Sequence, residues 1–322
     1  MGRRHARALL ALDERAELGG VYDPDPTAAA SSLPTYASEA EAIADADVVF
    51  IATPIAAHVG TVLRALDAGR DVFVEKPIGA TGAESTAMVD AATRTGRRLF
   101  VGHSERFNPV VRALRRAVDP ESIRSVTFCR VGAPRAGIVK IEPPRARTRD
   151  VLLNLGVHDF DLAAYITDSR ALARAAFGRE DAADILLSTA RGPARVRVGR
   201  EGERERRILV TTADAIYRGD LLRFRLTVNR HAFGPSEASE ASGRGRDRGT
   251  DQELALETEE PLIAQARAVF DALDGRASEI AEGLDGARAV RLAEKSLALL
   301  RRPASSPALA ESPASHYVDS AE

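Results

Sequence analysis

The sequence predicts a two-part α/β protein. A doubly wound N-terminal domain precedes an α+β domain built on a mainly antiparallel, open sheet. Over the first hundred residues, short and nearly continuous apolar runs alternate with helical periodicity, the pattern of a parallel sheet covered on both faces. Beyond residue 171 several runs alternate apolar and polar residues, as in an antiparallel sheet with one wetter face. The length, 322 residues, is long for one domain and comfortable for two.

Each element follows in order. Residues 3–15 read as a helix, and 18–22 as a short apolar strand ending at Asp23. Residues 39–44 are helical and 47–52 form a buried strand. An amphipathic helix over 56–68 is closed by Gly69. A strand at 71–74, a helix at 83–95 and a strand at 98–101 complete the first domain, residues 1–103. The second, residues 104–301, opens with a helix over 109–117, a strand over 125–131 and an apolar helix over 151–166. Strands then fall at 185–188, 194–198, 207–212 and 222–228. Residues 231–252, rich in Gly, Ser, Glu and Arg, read as a mobile loop. Helices over 261–273 and 285–300 follow, and the Pro/Ala/Ser-rich residues 302–322 read as a disordered tail.

Composition excludes several classes of function. A formal net charge of −2 argues against a polyanion-binding surface, so no nucleic-acid partner is expected. The run Arg204-Glu205-Arg206-Arg207 mixes signs and reads as a solvated strand face. Cys129 is the only cysteine, which precludes an internal disulfide, and no metal site is expected. No run is apolar enough to span a bilayer. Residues 1–12 superficially resemble a signal peptide, but the apolar stretch is short and Asp13-Glu14 follow at once. The expected compartment is the cytoplasm. Of the 45 Lys and Arg residues only Lys76, Lys140 and Lys295 are lysine, so a lysine here tends to mark a place where arginine would not serve.

A dinucleotide-binding domain opens with a strand, then Gly-x-Gly-x-x-Gly, then a helix whose N-terminus faces the pyrophosphate. The given sequence enters that helix directly. Gly2 fits the third glycine, with Arg3 beside it, while the first strand and first two glycines lie outside the sequence. We expect the natural start to lie upstream; the competing expectation is an impaired cofactor site. Asp23 ends the second strand about 20 residues past Gly2, where an acid would hold the adenosine ribose and disfavour a 2′-phosphate. The alternative is that Asp23 merely opens the Asp23-Pro24-Asp25-Pro26 turn. Thr53, Pro54 and His58 follow one strand, and Glu75-Lys76-Pro77 follow the next, both at carboxyl ends where ligands bind in such sheets. Turn chemistry and a surface histidine explain each singly; their clustering favours a site.

Oxidising a secondary alcohol needs a hydride acceptor, a base for the hydroxyl proton and a donor to the developing oxyanion. Lys76 can polarise the substrate oxygen, and Pro77 would stiffen its loop. Asn154 and His158, four apart on one helix face, can present a hydroxyl-binding amide and a proton acceptor. Asp161, three residues beyond His158, can orient the imidazole. A satisfied buried histidine is the ordinary alternative.

These residues carry a resemblance. The chain resembles the Gfo/Idh/MocA oxidoreductase family over residues 1 to about 300. The matching stretches are Met1-Gly2-Arg3-Arg4-His5, residues 47–58 with Ala52-Thr53-Pro54, residues 68–77 ending in Glu75-Lys76-Pro77, Gly102-His103-Ser104-Glu105-Arg106-Phe107-Asn108-Pro109, and residues 156–162. The resemblance implies a Rossmann-like first domain, NAD(P)-dependent chemistry on sugar or polyol hydroxyls, and an open sheet that commonly builds homo-oligomers, dimers or tetramers. It makes Lys76 and His158 the catalytic pair. Asn154 stands where many members have Asp, which favours hydrogen bonding over proton relay at that position. Arg106-Phe107-Asn108-Pro109, Tyr217-Arg218-Gly219-Asp220 and Glu259-Glu260-Pro261-Leu262 are similar to members acting as UDP-N-acetylglucosamine 3-dehydrogenases. The expectation is therefore NAD, rather than NADP, with Gly2, Arg3, Asp23, Thr53, Pro54, His58, Glu75 and Lys76 toward the cofactor. Arg106, Asn108, Asn154 and His158 are expected toward a sugar or nucleotide-sugar substrate. The alternatives are an inositol or simple-sugar dehydrogenase, and a non-catalytic binding or regulatory relative.

Overall fold

A computed structural model describes residues 1–25, 33–132, 151–179, 181–230 and 250–301. The expected tail, 302–322, and residues 231–249 of the expected loop lie outside these.

The first sheet joins three parallel strands, β1 (Val48–Ile51), β2 (Asp71–Val74) and β3 (Leu99–Val101). Helices α3 (Ile55–Asp67) and α4 (Gly82–Thr95) connect them, as parallel strands require. Val62, Ala65 and Leu66 of α3 and Met88, Ala91 and Ala92 of α4 are buried in the core with Val72, Val74 and Val101. On the other face Phe73 and Phe100 pack with Ala264, Ala268 and Val269 of α7 (Pro261–Leu273). Helix α1 (Gly2–Leu10) packs against α7. Short α2 (Glu39–Asp45) is capped by Ser38, whose hydroxyl accepts from the Glu41 amide.

The second sheet has eight strands: β4 (Ile123–Val131), β5 (Leu172–Arg179), β6 (Ala182–Thr189), β7 (Gly192–Gly199), β8 (Glu205–Thr212), β9 (Ile216–Asp220), β10 (Arg225–Asn229) and β11 (Gln252–Glu253). Their order is β11-β10-β9-β8-β4-β7-β6-β5, and every pairing is antiparallel except β4 with β7. Val126, Phe128, Ile185, Leu187, Val196, Val198, Ile208 and Val210 alternate inward, into the core shared with Phe160 and Leu162 of α6 (Val157–Thr167). Phe177, Leu186 and Leu209 face outward and are exposed.

Three expectations are corrected. Residues 18–22 do not form a strand: only Val21 bridges to Thr35, where Gly20 lets the Tyr36 ring and the Pro34 carbonyl approach closer than any Cβ would permit. The run 222–228 is broken by a hairpin turn, because the Asp220 carboxylate accepts from the amides of Leu222 and Arg223 and Phe224 takes φ 50°. The first helix stops at Leu10, short of residue 15. In addition, residues 261–300 return to the first domain. Strand β12 (Ala281–Glu282) pairs with β3, and α8 (Gly283–Leu300) lies against α4, α6 and β5. Helix α5 (Pro109–Ala117) is capped by Asn108, whose side-chain oxygen accepts from the Val110 amide.

Candidate functional site

The site forms where the loops after β2 and β3 meet the start of α6. Sheet hydrogen bonding continues past β2, since the Glu75 amide donates to the Ile51 carbonyl at 2.9 Å. Glu75 is buried, and His5 Nε2 on α1 donates to its Oε1 at 2.7 Å. Its other oxygen accepts from the Lys76 amide at 3.1 Å. Gly102 admits this carboxylate: a Cβ there would sit 3.1 Å from Glu75 Oε1 and 3.2 Å from its Cα. The Lys76–Pro77 bond is cis. His58 is buried and spans two loops, its Nε2 2.9 Å from the Thr53 carbonyl and its Nδ1 3.0 Å from that of Pro77. Thus Glu75 and His58, expected toward a cofactor, are occupied in fixing the loop that carries Lys76.

Lys76 reaches across to the second domain. Its Nζ donates to the Asn154 carbonyl at 3.0 Å and to the Asn154 side-chain oxygen at 3.3 Å. Asn154 lies in a wide π-helical turn (Val151–Gly156), and His158 lies in the first turn of α6. The two residues therefore do not share one regular helix, as the four-residue spacing suggested; a π turn changes the angular step per residue and often marks a functional site. Loss of hydration pushes the Lys76 ammonium down to about 8, with Glu75 opposing the shift and Arg130 aiding it. Desolvation, then the charges of Lys76 and Arg130, hold His158 well below its usual value, so its imidazole is neutral at neutral pH.

A buried ion network lies beside this pair. Arg130 of β4 donates bidentately to Asp159 at 2.9 Å and 2.9 Å, and to Glu105 at 3.0 Å. Arg206 donates to the same Glu105 oxygen at 2.9 Å. Burial alone would raise the Glu105 carboxyl, yet the two guanidiniums outweigh it and hold the group below its usual value. Arg206 thus points inward from β8, whereas Arg207 points to solvent, so the solvated-face expectation holds for only part of that run.

Other expectations are redirected. Asp161 does not orient His158, because Arg106 takes both its oxygens, at 2.8 Å and 2.6 Å. Arg106 is buried, also pairs with Asp285 at 3.2 Å, and lies over the Tyr165 ring. Asn108 accepts from the Val110 amide and donates to the Leu221 carbonyl. Neither Arg106 nor Asn108 is free to hold substrate. Asp23 is exposed and accepts from the Asp25 amide, the turn alternative. The N-terminus of α1 has no side-chain cap and no acid in its first turn, and a Cβ at Gly2 would meet open space. Residues that sequence reasoning missed are His5, His103, Glu105, Arg130, Asp159 and Arg206. His5, His103, Glu105 and Asp159 lay inside recognised motifs, but only the fold showed what His5, Glu105 and Asp159 bond and which ring His103 faces.

Residues 1–103 match the oxidoreductase family with an NAD-binding Rossmann fold. An inositol 2-dehydrogenase of Rhizobium meliloti is 28% identical over 215 residues, covering 60% of this chain and 63% of that protein. A UDP-N-acetylglucosamine 3-dehydrogenase of Acidithiobacillus ferrooxidans is 30% identical over 228 residues, covering 65% and 67%. The matched stretch spans only 55% of a second inositol 2-dehydrogenase, from Acidothermus cellulolyticus. A solved structure of the Acidithiobacillus ferrooxidans enzyme superposes with TM-score 0.78 at 23% identity, over 93% of this chain and 94% of that one. An oxidoreductase domain protein from Kribbella flavida gives 0.75 at 19%, over 93% and 94%. At these identities the superpositions speak to the fold.

Proposed function

Because the chain belongs to the Gfo/Idh/MocA oxidoreductase family, we propose that it is an NAD-dependent dehydrogenase acting on a secondary hydroxyl of a sugar, C3 of a UDP-N-acetylhexosamine in the leading case. The observation that carries this is Lys76 on Asn154 beside a neutral His158, at the carboxyl end of a parallel strand. Bound nicotinamide would supply the hydride acceptor. The uncapped start of α1 at Gly2 and Arg3 suits a pyrophosphate, and the Thr53-Pro54 and Lys76 loops would border the nicotinamide. Asp23, if it leaves its turn for the ribose, would favour NAD over NADP.

In this scheme Lys76, held cationic below about pH 8, donates to the substrate oxygen and stabilises its developing charge. His158, neutral, accepts the hydroxyl proton. Asn154 shares Lys76 and offers its amide to a neighbouring hydroxyl. The outward face bearing Phe177, Leu186 and Leu209 would pair copies of the chain into dimers or tetramers.

The test follows NADH absorbance at 340 nm with UDP-N-acetylglucosamine and, separately, myo-inositol. Turnover of the nucleotide sugar supports the leading case; turnover of myo-inositol alone replaces it with the inositol dehydrogenase reading. Failure to bind NAD at all would favour the non-catalytic relative.

A further inference from the structure

His103 follows β3 and is 1% exposed. Neither of its ring nitrogens has a hydrogen-bond partner among the described residues, and the buried Nδ1 of His158 has none either. Three buried nitrogens without partners are costly, and they lie on two rings that face each other edge to face. The ring centroids are 6.5 Å apart at 80°. A direct bond between two imidazoles, with nitrogens about 2.9 Å apart, would bring the centroids closer; a single bridging water fits the spacing.

Among the described residues no carboxylate bonds the His158 Nδ1 in place of His103. Arg106 holds both oxygens of Asp161, and Arg130 holds Asp159 bidentately and shares Glu105 with Arg206. A histidine acting as a base needs its rear nitrogen partnered so that one tautomer is set.

We propose that His103 is the second imidazole of a two-histidine relay, which sets the tautomer of His158 and receives the proton that His158 takes from substrate. The step, which rests on the dehydrogenase reading above, balances as follows. The substrate C–H hydride goes to oxidised nicotinamide, and the hydroxyl proton goes to His158 Nε2. The His158 Nδ1 proton passes to the bridging water, which gives one of its own to His103. The substrate becomes a ketone, His158 ends neutral in its other tautomer, and His103 becomes imidazolium until it exchanges with bulk water. The groups facing the rings are Lys76 after β2, Arg106 before α5, Arg130 on β4, Asp161 on α6, Arg206 on β8 and Asp285 on α8. Burial holds the His103 imidazole below its usual value; among these charges the Asp161 and Asp285 carboxylates favour its imidazolium, while Arg106 and Lys76 oppose it.

The experiment uses long-range proton–nitrogen NMR of the six histidines in the full chain, without substrate, with His158 assigned through His158→Gln. The wild type should show one tautomer at His158. His103→Phe should give a mixture of tautomers and move the His158 titration midpoint; an unchanged His158 spectrum in the folded variant overturns the proposal. His103→Gln guards against misfolding, since its amide can hold the water but cannot take a proton. It should keep the single tautomer and lower kcat at least about tenfold with little change in KM; undiminished kcat would overturn the relay. If the wild type turns over no sugar, the dehydrogenase reading fails, and the tautomer comparison still decides whether His103 partners His158.

Discussion

His5 on the first helix donates to Glu75 at 2.7 Å inside the core, joining α1 to the loop that carries Lys76. The residue before the proposed catalytic lysine is therefore an anchor rather than a ligand. Its hold on α1 ties the direction of the Lys76 side chain to the packing of the first helix.

Replacing His5 by Ala leaves Oε1 of that carboxylate without its partner, while Oε2 keeps the Lys76 amide. The expected cost is about 1–3 kcal/mol of stability for a buried, unpaired group. Turnover should also fall, because the Lys76 loop loses its tether. Denaturant unfolding and kcat measured on the same preparations check both; loss of stability with full kcat would show that the tether does not position Lys76.

Lys76→Met should abolish most turnover, by about 100-fold or more, while raising thermal stability. The ammonium is held down at about 8 by lost hydration, so folding is penalised while Lys76 is charged. The unfolded chain, titrating near its ordinary value, binds more protons between pH 8 and that value, and wild-type stability rises with pH across the window. The stability advantage of Lys76→Met should accordingly be largest below pH 8 and fade toward pH 10–11. Melting curves at several pH values read this directly, and a pH-independent difference would refute it.

The pH profile of kcat/KM for oxidation should have two limbs. The acidic limb lies well below pH 6.5, where His158 becomes protonated and ceases to accept. The alkaline limb lies near pH 8, where Lys76 loses its charge. Lys76→Arg should remove the alkaline limb even if the rate is lower. An alkaline limb that persists in this variant would assign it to another group.

Arg130→Met leaves Asp159 and half of the Glu105 pairing uncompensated in the core. Breaking such a network is expected to cost about 3–5 kcal/mol. A fall in the denaturation midpoint measures it. Arg206→Met removes a single, partly exposed contact and should cost markedly less.

Asn108→Ala separates capping from substrate binding. Loss of the cap should cost about 1 kcal/mol. KM should stay within about twofold, since the side chain is committed to the Val110 amide and the Leu221 carbonyl. A large rise in KM would restore the substrate-binding expectation.

Local chemistry was readable wherever a residue's role depended on its neighbours in sequence. Gly69, at φ 75°, ends α3 as its position suggested, and the bounds of α5 and α7 follow from Pro109 and Pro261 at the first helical position. Alternation separated the parallel sheet from the antiparallel one. What misled was motif membership. Arg106 and Asn108 sit in a recognisable stretch, but a recognised stretch does not say which way a side chain turns, and both turn inward.

The sequence by itself determined the two-part α/β architecture, the antiparallel character of the second sheet, and the loop position of Lys76, because apolar period and turn residues are local properties. The tertiary structure decided the partners. His5 with Glu75, Arg130 with Glu105 and Asp159, and His103 with His158 are separated by 70, 25, 29 and 55 residues. No periodicity encodes such pairings. They arise because buried charges and imidazoles must find counterparts once packing has removed water, and only the assembled core fixes which ones lie within reach.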